Sequence, residues 1–307
     1  MATAPKKPQL LDWLLRQDLV GVHSCESLLY RAVQACLSID AYSAAAYTEA
    51  TKAEFWNFVV RANEQHTARG VSSSFSVQSS ETRTFHCYPV PAQFRGKTRL
   101  NAIRAQNRPA ILRMIYDLTD REYEAMSCVL LEALGATQVN LTRKGTEGGI
   151  DAFGLIEHAR ASHLLGSIHH PLRVVVQSKM WRNPIGADAM KVFLQTLHEV
   201  REGGQPQTNA IVPSWFKEAR GAMIGLVVSH KGFQSGADSR ARTQGILIAD
   251  SLDVAEVIAL RRNLYGDEGR DKVGACLNRI KELLASCESK FETNSIGPSN
   301  ATADAAS

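Results

Sequence analysis

The strongest constraint on the fold lies between Thr119 and Leu260, where segments with the apolar spacing of helices alternate with segments typical of strands. Thr119-Asp-Arg-Glu122 has the pattern of a capping box, in which the Glu122 side chain reaches back to the Thr119 amide. Apolar residues at helical spacing follow, and Gly135 ends this predicted helix. Later patterns predict strands over 138–142, 150–156, 173–179, 222–229 and 246–249, and helices over 190–200, 236–243 and 252–260. The order of helix, three strands, helix and strand predicts an α/β domain with a mixed sheet flanked by helices.

The preceding residues show a different pattern, which predicts a mainly helical N-terminal domain. Helical spacing of apolar residues runs from Leu10 to about Asn63, with Ser24 as a candidate N-cap. The segment 70–80 is rich in serine and predicted to form turns, and a short strand is predicted over 84–90. We therefore expect four parts: a domain over 1–108 for targeting or regulation, a sheet-bearing domain over 116–260, a C-terminal helix over 261–290 and a disordered tail over 291–307.

Composition excludes several classes of protein. The 307 residues are 44% hydrophobic and 21% charged, which is ordinary for globular domains. No apolar run approaches the roughly 18 to 20 residues that a membrane helix needs, and the N-terminus lacks the pattern of a signal peptide. We expect a soluble, cytoplasmic protein without a membrane partner. The six cysteines include no CxxC pair, which argues against structural zinc.

Basic residues are concentrated between Ala92 and Tyr116, although the net charge is only +4. This segment contains no acidic residue, and its cations are Arg95, Lys97, Arg99, Arg104, Arg108 and Arg113. Such a run suits a nucleic-acid backbone, where each contact releases counterions. A solvated linker explains the run equally well.

Two fragments carry the candidate chemistry. The first, Gly145-Thr-Glu-Gly-Gly-Ile-Asp151, is a glycine turn that places a carboxylate at the start of a strand. The second, Gln177-Ser-Lys179, ends a valine-rich strand, and alternation places Gln177 and Lys179 on the same face. Taken singly, Asp151 is explained as a turn cap, Gln177 as a strand-end amide and Lys179 as a cation reaching solvent from a sheet edge. Their occurrence together favours a functional site.

These motifs resemble the PD-(D/E)xK nuclease superfamily, and within it the catalytic domain of Mrr-like type IV restriction endonucleases, in its QxK variant. The resemblance extends from Tyr116 to Leu260. It rests on Tyr123-Glu124, Gly135, Gly148-Gly149-Ile150-Asp151, Gln177-Ser178-Lys179, Val227-Val228-Ser229, Gly232-Phe233, Gly236-Ala237 and Ile246-Leu247-Ile248-Ala249-Asp250. The winged-helix companion that is usual in the family is not evident in the N-terminal part.

The resemblance implies a restriction-endonuclease-like fold and a Mg²⁺-dependent endonuclease, with Mn²⁺ able to substitute, that hydrolyses double-stranded DNA in defence against foreign DNA. Asp151 would be the main metal ligand, and Gln177 would offer a neutral oxygen to the metal or its water. Lys179 would orient or deprotonate the attacking water, or stabilise the developing charge. Glu124 would compensate for the missing acidic residue, since Glu122 already has a role in the capping box.

Nucleic-acid contacts are expected from Arg95, Lys97, Arg99, Arg104, Arg108 and Arg182. Trp181 would either contact the DNA backbone beside Arg182 or pack against the protein. Cleavage of both strands generally calls for two active sites, so we expect a homodimer. Two alternatives stay open: a non-catalytic nucleic-acid-binding or interaction module on the same fold, and a structure-specific nuclease of DNA repair or recombination.

Overall fold

The computed structural model describes residues 6–143, 149–157, 171–203, 212–261 and 272–295. Up to Asp117 the chain forms helices interspersed with three short strands: α1 (Lys7–Leu15), β1 (Gly21–Ser24), α2 (Cys25–Leu37), α3 (Ala41–Ala68), β2 (Phe75–Ser79), β3 (Thr84–Cys87), α4 (Gly96–Ala105) and α5 (Arg108–Asp117). The N-terminal region is therefore mainly helical, as predicted.

Beyond Asp117 strands and helices alternate: α6 (Asp120–Leu134), β4 (Ala136–Leu141), β5 (Ala152–Ile156), β6 (Leu172–Lys179), α7 (Ala187–Arg201), α8 (Ser214–Glu218), β7 (Met223–Ser229), α9 (Ser235–Thr243), β8 (Leu247–Asp250), α10 (Ser251–Leu260) and α11 (Lys272–Ser295). The predicted strands and helices of this region are confirmed. Among the residues described, no helix combines the length and apolarity needed to cross a bilayer.

The chain divides into two compact units. Unit 1 consists of Met1–Asp117 and Ser251–Val273, and unit 2 of Leu118–Asp250 and Gly274–Ser307. Helix α10, which directly follows the last strand, thus belongs to unit 1. The four-part division made from the sequence stays a prediction.

Unit 1 contains a small antiparallel sheet in the order β1-β3-β2. Strand β3 confirms the predicted strand, but two predictions were wrong. Strand β1 interrupts the region predicted to be helical, and β2 lies in the segment predicted to form only turns. Both strands are short and contain few apolar residues, so they are stabilised by pairing with β3 rather than by a local pattern. Ser24 caps α2 as predicted, accepting a hydrogen bond of 3.1 Å from the Ser27 amide.

Unit 2 is built on a five-stranded sheet in the order β4-β5-β6-β7-β8. Strands β4, β5 and β6 pair antiparallel, whereas β6, β7 and β8 pair parallel, which confirms the predicted mixed sheet. Ala152 pairs with Val176 across β5 and β6. This register brings the start of β5, with Asp151, next to the end of β6, with Lys179.

Helices cover both faces of this sheet. On one face, Phe153 and Val175 belong to a buried cluster that includes Phe193 of α7 and Phe216 of α8. Gly154, the next residue along β5, faces the opposite side of the sheet, which α6 covers. A Cβ added to Gly154 would lie only 2.8 Å from Leu131 Cδ1 of α6. Glycine at this position therefore lets α6 approach the sheet closely. The capping box that starts α6 is present, and Gly135 ends the helix in the left-handed conformation.

Candidate active site

Asp151 is held by the strand that carries Gln177 and Lys179. Its backbone amide donates to the Val176 carbonyl at 2.8 Å. Its carboxylate oxygen Oδ2 accepts hydrogen bonds from the Ser178 amide at 2.6 Å and the Ser178 hydroxyl at 2.9 Å. The carboxylate is therefore fixed against the residue between Gln177 and Lys179. The sequence motif gave no role to Ser178, because its identity is not part of the pattern.

The backbone of Gly149 lies so close to the Gln177 side chain that only glycine fits at position 149. Gly149 has a φ of +79°, and a Cβ at this position would lie only 1.7 Å from Gln177 Nε2 and 2.9 Å from Gln177 Cδ. The Gln177 amide thus occupies the space that a side chain on the turn would need, and Gln177 is 5% exposed. The end of the glycine turn and the end of β6 meet here; residues 144–148 of the turn lie outside the described residues.

Electrostatic interactions connect Asp151 with both Glu124 and Lys179. Burial raises the pKa of the Asp151 carboxyl above its usual value, and this effect outweighs the amide of Ser178, which lowers the pKa. The Glu124 carboxylate raises the same pKa further, while the Lys179 ammonium lowers it. The structure therefore brings the four residues predicted to form the site into one neighbourhood.

Glu124 is positioned by Arg121, one helical turn before it. The Arg121 guanidinium forms an ion pair with Glu124 and donates to the Thr142 carbonyl at 2.7 Å. The Thr142 hydroxyl in turn donates to the Ile150 carbonyl at 2.7 Å, and its amide donates to the Asp151 carbonyl at 3.0 Å. Arg121 and Thr142 thus connect the helix to the start of β5. Sequence reasoning missed both residues, because neither belongs to a recognisable spacing.

Glu122 and Glu124 have separate roles in α6. The Thr119 amide donates to the Glu122 carboxylate at 2.8 Å, and this bond lowers the pKa of Glu122 below its usual value. Glu122 is therefore committed to the capping box. Glu124 is half-buried, with 27% of its side chain exposed.

Lys179 and Trp181 lie together at the end of β6. The Lys179 ammonium is 5.8 Å from the centre of the Trp181 ring, and the Lys179 carbonyl accepts a hydrogen bond from the His230 amide at 3.0 Å. Tyr123, the aromatic residue of the Tyr123-Glu124 motif, is 1% exposed and meets the His230 ring edge to face.

The donor atoms of the site fit an oxygen-preferring cation. No group of three or more His, Cys, Asp or Glu side chains that could hold a metal occurs in the part of the chain that the structure describes. The candidate donors are instead the two carboxylates of Asp151 and Glu124 and the amide of Gln177. Carboxylate and amide oxygens are the ligands that Mg²⁺ accepts, together with water.

The residues predicted to contact nucleic acid lie in different environments. Arg95, Lys97 and Arg99 are exposed at the start of α4, and Arg182 is exposed after β6. Arg104 is half-buried and donates to the Leu260 carbonyl at 3.5 Å.

Arg108 does not lie on a nucleic-acid surface. Its side chain is fully buried, and its guanidinium pairs with Glu256 at 2.7 Å. The prediction for Arg108 therefore fails, because a phosphate cannot reach a cation that is enclosed and already neutralised. A run of basic residues does not reveal which member faces the core.

Residues 115–258 match the model of the Mrr catalytic family, which is described as restriction endonuclease. This segment is an Mrr-type restriction endonuclease domain. The match contains all four residues predicted for the site and every strand of the five-stranded sheet.

Two solved structures are similar to the chain, each at low identity. The MspJI restriction endonuclease, in complex with a 27-mer oligonucleotide, is 13% identical with a TM-score of 0.39, and the match covers 68% of this chain and 44% of that one. The DNA modification-dependent restriction endonuclease AspBHI is 14% identical with a TM-score of 0.36, covering 64% of this chain and 44% of that one. The chain thus matches less than half the length of either enzyme. None of the curated proteins compared with the chain matches it.

Gly149→Ala in the Mrr-type domain is expected to reduce DNA cleavage by about tenfold or more, because the new Cβ displaces the Gln177 amide. The left-handed backbone alone costs about 1–2 kcal/mol of stability. Gly245→Ala is the matched control: its φ is +65°, and a Cβ there meets nothing within 4 Å. Equal cleavage rates of the two variants, measured on the same plasmid, would show that the position of Gln177 is unimportant.

Asp151→Asn is expected to raise the unfolding temperature of the metal-free Mrr-type domain by about 2–4 °C. The raised pKa of Asp151 means that its stabilising contribution is present at low pH and is lost as pH rises through the folded-state pKa. At pH 7, well above the ordinary pKa of an aspartate, the Asp151 carboxyl therefore lowers the stability of the fold, whereas asparagine carries no charge and still accepts the Ser178 hydrogen bonds. Scanning fluorimetry in EDTA measures the shift, and an unchanged or lower unfolding temperature contradicts it.

Proposed function

We propose that this protein is a metal-dependent endonuclease that hydrolyses phosphodiester bonds of double-stranded DNA as part of a restriction system. The observation that carries the proposal is the attachment of Asp151 to Ser178, between Gln177 and Lys179, within a restriction endonuclease domain. A decayed site would have no reason to keep a half-buried carboxylate beside an amide and an ammonium group. The match of residues 115–258 to a restriction endonuclease family supports DNA as the class of substrate.

Asp151, Glu124 and Gln177 would hold the divalent cation, with Mg²⁺ as the expected ion and Mn²⁺ as its substitute. When bound, such an ion lowers the pKa of a water molecule and offsets charge on a phosphate oxygen. Ser178 holds the Asp151 carboxylate, and Arg121 holds that of Glu124. Lys179 orients the attacking water and offsets the negative charge that develops on the phosphate. Proximity of two carboxylates is unfavourable by itself, and a divalent cation would relieve their repulsion.

Helix α4 is proposed as a second contact with the DNA backbone. The exposed cations Arg95, just before the helix, and Lys97 and Arg99, within it, have no acidic residue among them in the sequence. Replacing all three by alanine is expected to weaken binding and to reduce the slope of log affinity against log salt by about 2–3, because each phosphate contact contributes about 0.9. Fluorescence anisotropy at four salt concentrations measures the slope. An unchanged slope would show that α4 is not part of the DNA-binding surface.

Incubation of the purified protein with supercoiled plasmid and Mg²⁺ tests the proposed function. We expect nicked and linear products with Mg²⁺ or Mn²⁺ and intact plasmid with EDTA. Linear product without prior accumulation of nicked circles supports a dimer with two active sites. Cleavage in EDTA at the same rate contradicts metal dependence.

Matched methylated and unmethylated duplexes extend the same assay to the restriction role. Cleavage of either duplex supports the nuclease proposal, and a difference between them identifies base modification as the signal. DNA that is bound but never cut, with any of these substrates or ions, favours the alternative of a non-catalytic binding module.

A further inference from the structure

Trp181 has the most exposed indole of the chain. All four tryptophans lie among the described residues, and Trp181 is 48% exposed, whereas Trp13 and Trp215 are partly buried and Trp56 is buried. Single exposed apolar side chains are common on protein surfaces and need no function. The position of Trp181 beside the candidate active site distinguishes it from the other exposed apolar residues.

The segment that carries Trp181 is fixed at both ends. Before it, the Lys179 carbonyl is bonded to the His230 amide at 3.0 Å. After it, the buried Ile185 receives a hydrogen bond of 2.9 Å from the Gln234 amide and donates one of 2.9 Å to the Gly232 carbonyl. Between these anchors Trp181, Arg182, Asn183 and Pro184 are all exposed. The indole is therefore presented to solvent by a short, anchored connection.

The chemistry around the ring suits a nucleotide. The Lys179 ammonium lies 5.8 Å from the ring centre, which is within the range of a cation–π interaction. The next residue, Arg182, adds an exposed guanidinium. A flat apolar ring with one cation near it and a second cation on the next residue of the chain matches a nucleotide, which combines an apolar face on its base or sugar with a negative phosphate. Aromatic side chains and cationic groups are combined in the same way where proteins bind nucleic-acid strands.

We propose that Trp181 is a substrate-binding residue, whose ring contacts the base or sugar of the nucleotide next to the phosphate that Lys179 serves. The inference rests on the proposed function for the location of that phosphate. The contact explains why a large aromatic ring is left in solvent beside a site that otherwise consists of polar groups. It also assigns Trp181 to substrate contact rather than to packing.

Tryptophan emission in EDTA tests this contact without requiring cleavage. A short DNA duplex and the corresponding single strand are titrated into the full-length protein, and quenching by acrylamide is measured before and after binding. We expect either DNA to shield an exposed indole, and we expect this change to be absent in Trp181→Phe. Trp215→Phe is the matched control, because it removes a partly buried indole and should keep the change.

Binding of fluorescein-labelled DNA to Trp181→Ala completes the test. We expect the variant to bind about fivefold more weakly or worse, with Trp181→Phe close to the parent, because phenylalanine retains an aromatic face. A stronger effect on the single strand identifies the base as the contact, and an equal effect on both identifies the sugar.

Parental affinity of Trp181→Ala for both DNAs overturns the inference, and so does a DNA-dependent emission change that survives in Trp181→Phe. A protein that binds neither DNA overturns it as well. The proposed function fails separately, if the parent protein binds DNA but cuts none. Shielding of Trp181 in a protein without nuclease activity would therefore support the contact and contradict only the proposed catalysis.

Discussion

Lys179→Ala is expected to lower the rate of DNA cleavage by about 100- to 1,000-fold, the usual loss when one group that stabilises the transition state is removed. The ammonium of Lys179 lies close enough to Asp151 to lower the pKa of that carboxyl, which supports the proposal that both residues act at one phosphate. Because Lys179 is half-buried at a strand end, its removal leaves the sheet intact. Single-turnover cleavage of a defined duplex, with protein in excess, measures the chemical step.

Controls for this prediction separate chemistry from binding and folding. Lys217→Ala removes an exposed lysine from α8 and should cut at the parental rate. DNA affinity of Lys179→Ala, measured by anisotropy in EDTA, should stay within about threefold of the parent, because a single phosphate contact is a small part of the total. If Lys179→Ala cuts as fast as Lys217→Ala, the proposed mechanism is wrong.

Arg108→Ala is expected to lower the free energy of unfolding by about 3–5 kcal/mol, because it leaves Glu256 as an unpaired buried charge. The pair is almost completely enclosed, with 0% of the Arg108 side chain and 5% of the Glu256 side chain exposed. Further hydrogen bonds join the pair to the backbone: the Ser72 amide donates to Glu256 at 2.8 Å, and Arg108 donates to the Ser72 carbonyl at 2.9 Å. The Tyr88 ring lies 5.1 Å from the guanidinium carbon. The pair therefore connects α5, α10 and the segment before β2 within unit 1.

Urea unfolding followed by circular dichroism measures this loss. The double variant Arg108→Met/Glu256→Gln should recover more than half of it, because glutamine still accepts the Ser72 hydrogen bond and no charge remains buried. Arg99→Ala, at an exposed position of α4, should change stability by less than about 0.5 kcal/mol. Arg108→Ala and Arg99→Ala unfolding at the same urea concentration would contradict the assignment of Arg108 to the core.

The sheet-bearing domain was predictable because its signals are local. The capping box at Thr119 depends on residues three apart, and the valine-rich strand ending at Lys179 depends on its neighbours in sequence. The motifs of the resemblance are likewise short and ordered. Strand β1 was missed because its partner, β3, lies far away in the sequence. Strand β2 was missed although β3 follows it closely, because it lies in a serine-rich segment whose composition indicates turns.

The geometry of the site was only partly predictable. Alternation along β6 placed Gln177 and Lys179 together, but the hydrogen bonds from Ser178 to Asp151 depend on the register between β5 and β6. The approach of Gln177 to Gly149 depends on the same register. The burial of Arg108 could not be predicted from the basic run either, because it depends on an ion pair with Glu256, which lies 148 residues later in the chain.

Titration of the full-length protein with Mn²⁺, followed by the electron paramagnetic resonance of the free ion, tests the convergence of Asp151, Gln177 and Glu124 on one cation. We predict one saturable site per chain in the parent, loss of this site in Asp151→Ala, weaker binding in Gln177→Ala and retention in Lys179→Ala. An Asp151→Ala protein that binds Mn²⁺ with the stoichiometry and affinity of the parent would contradict the account.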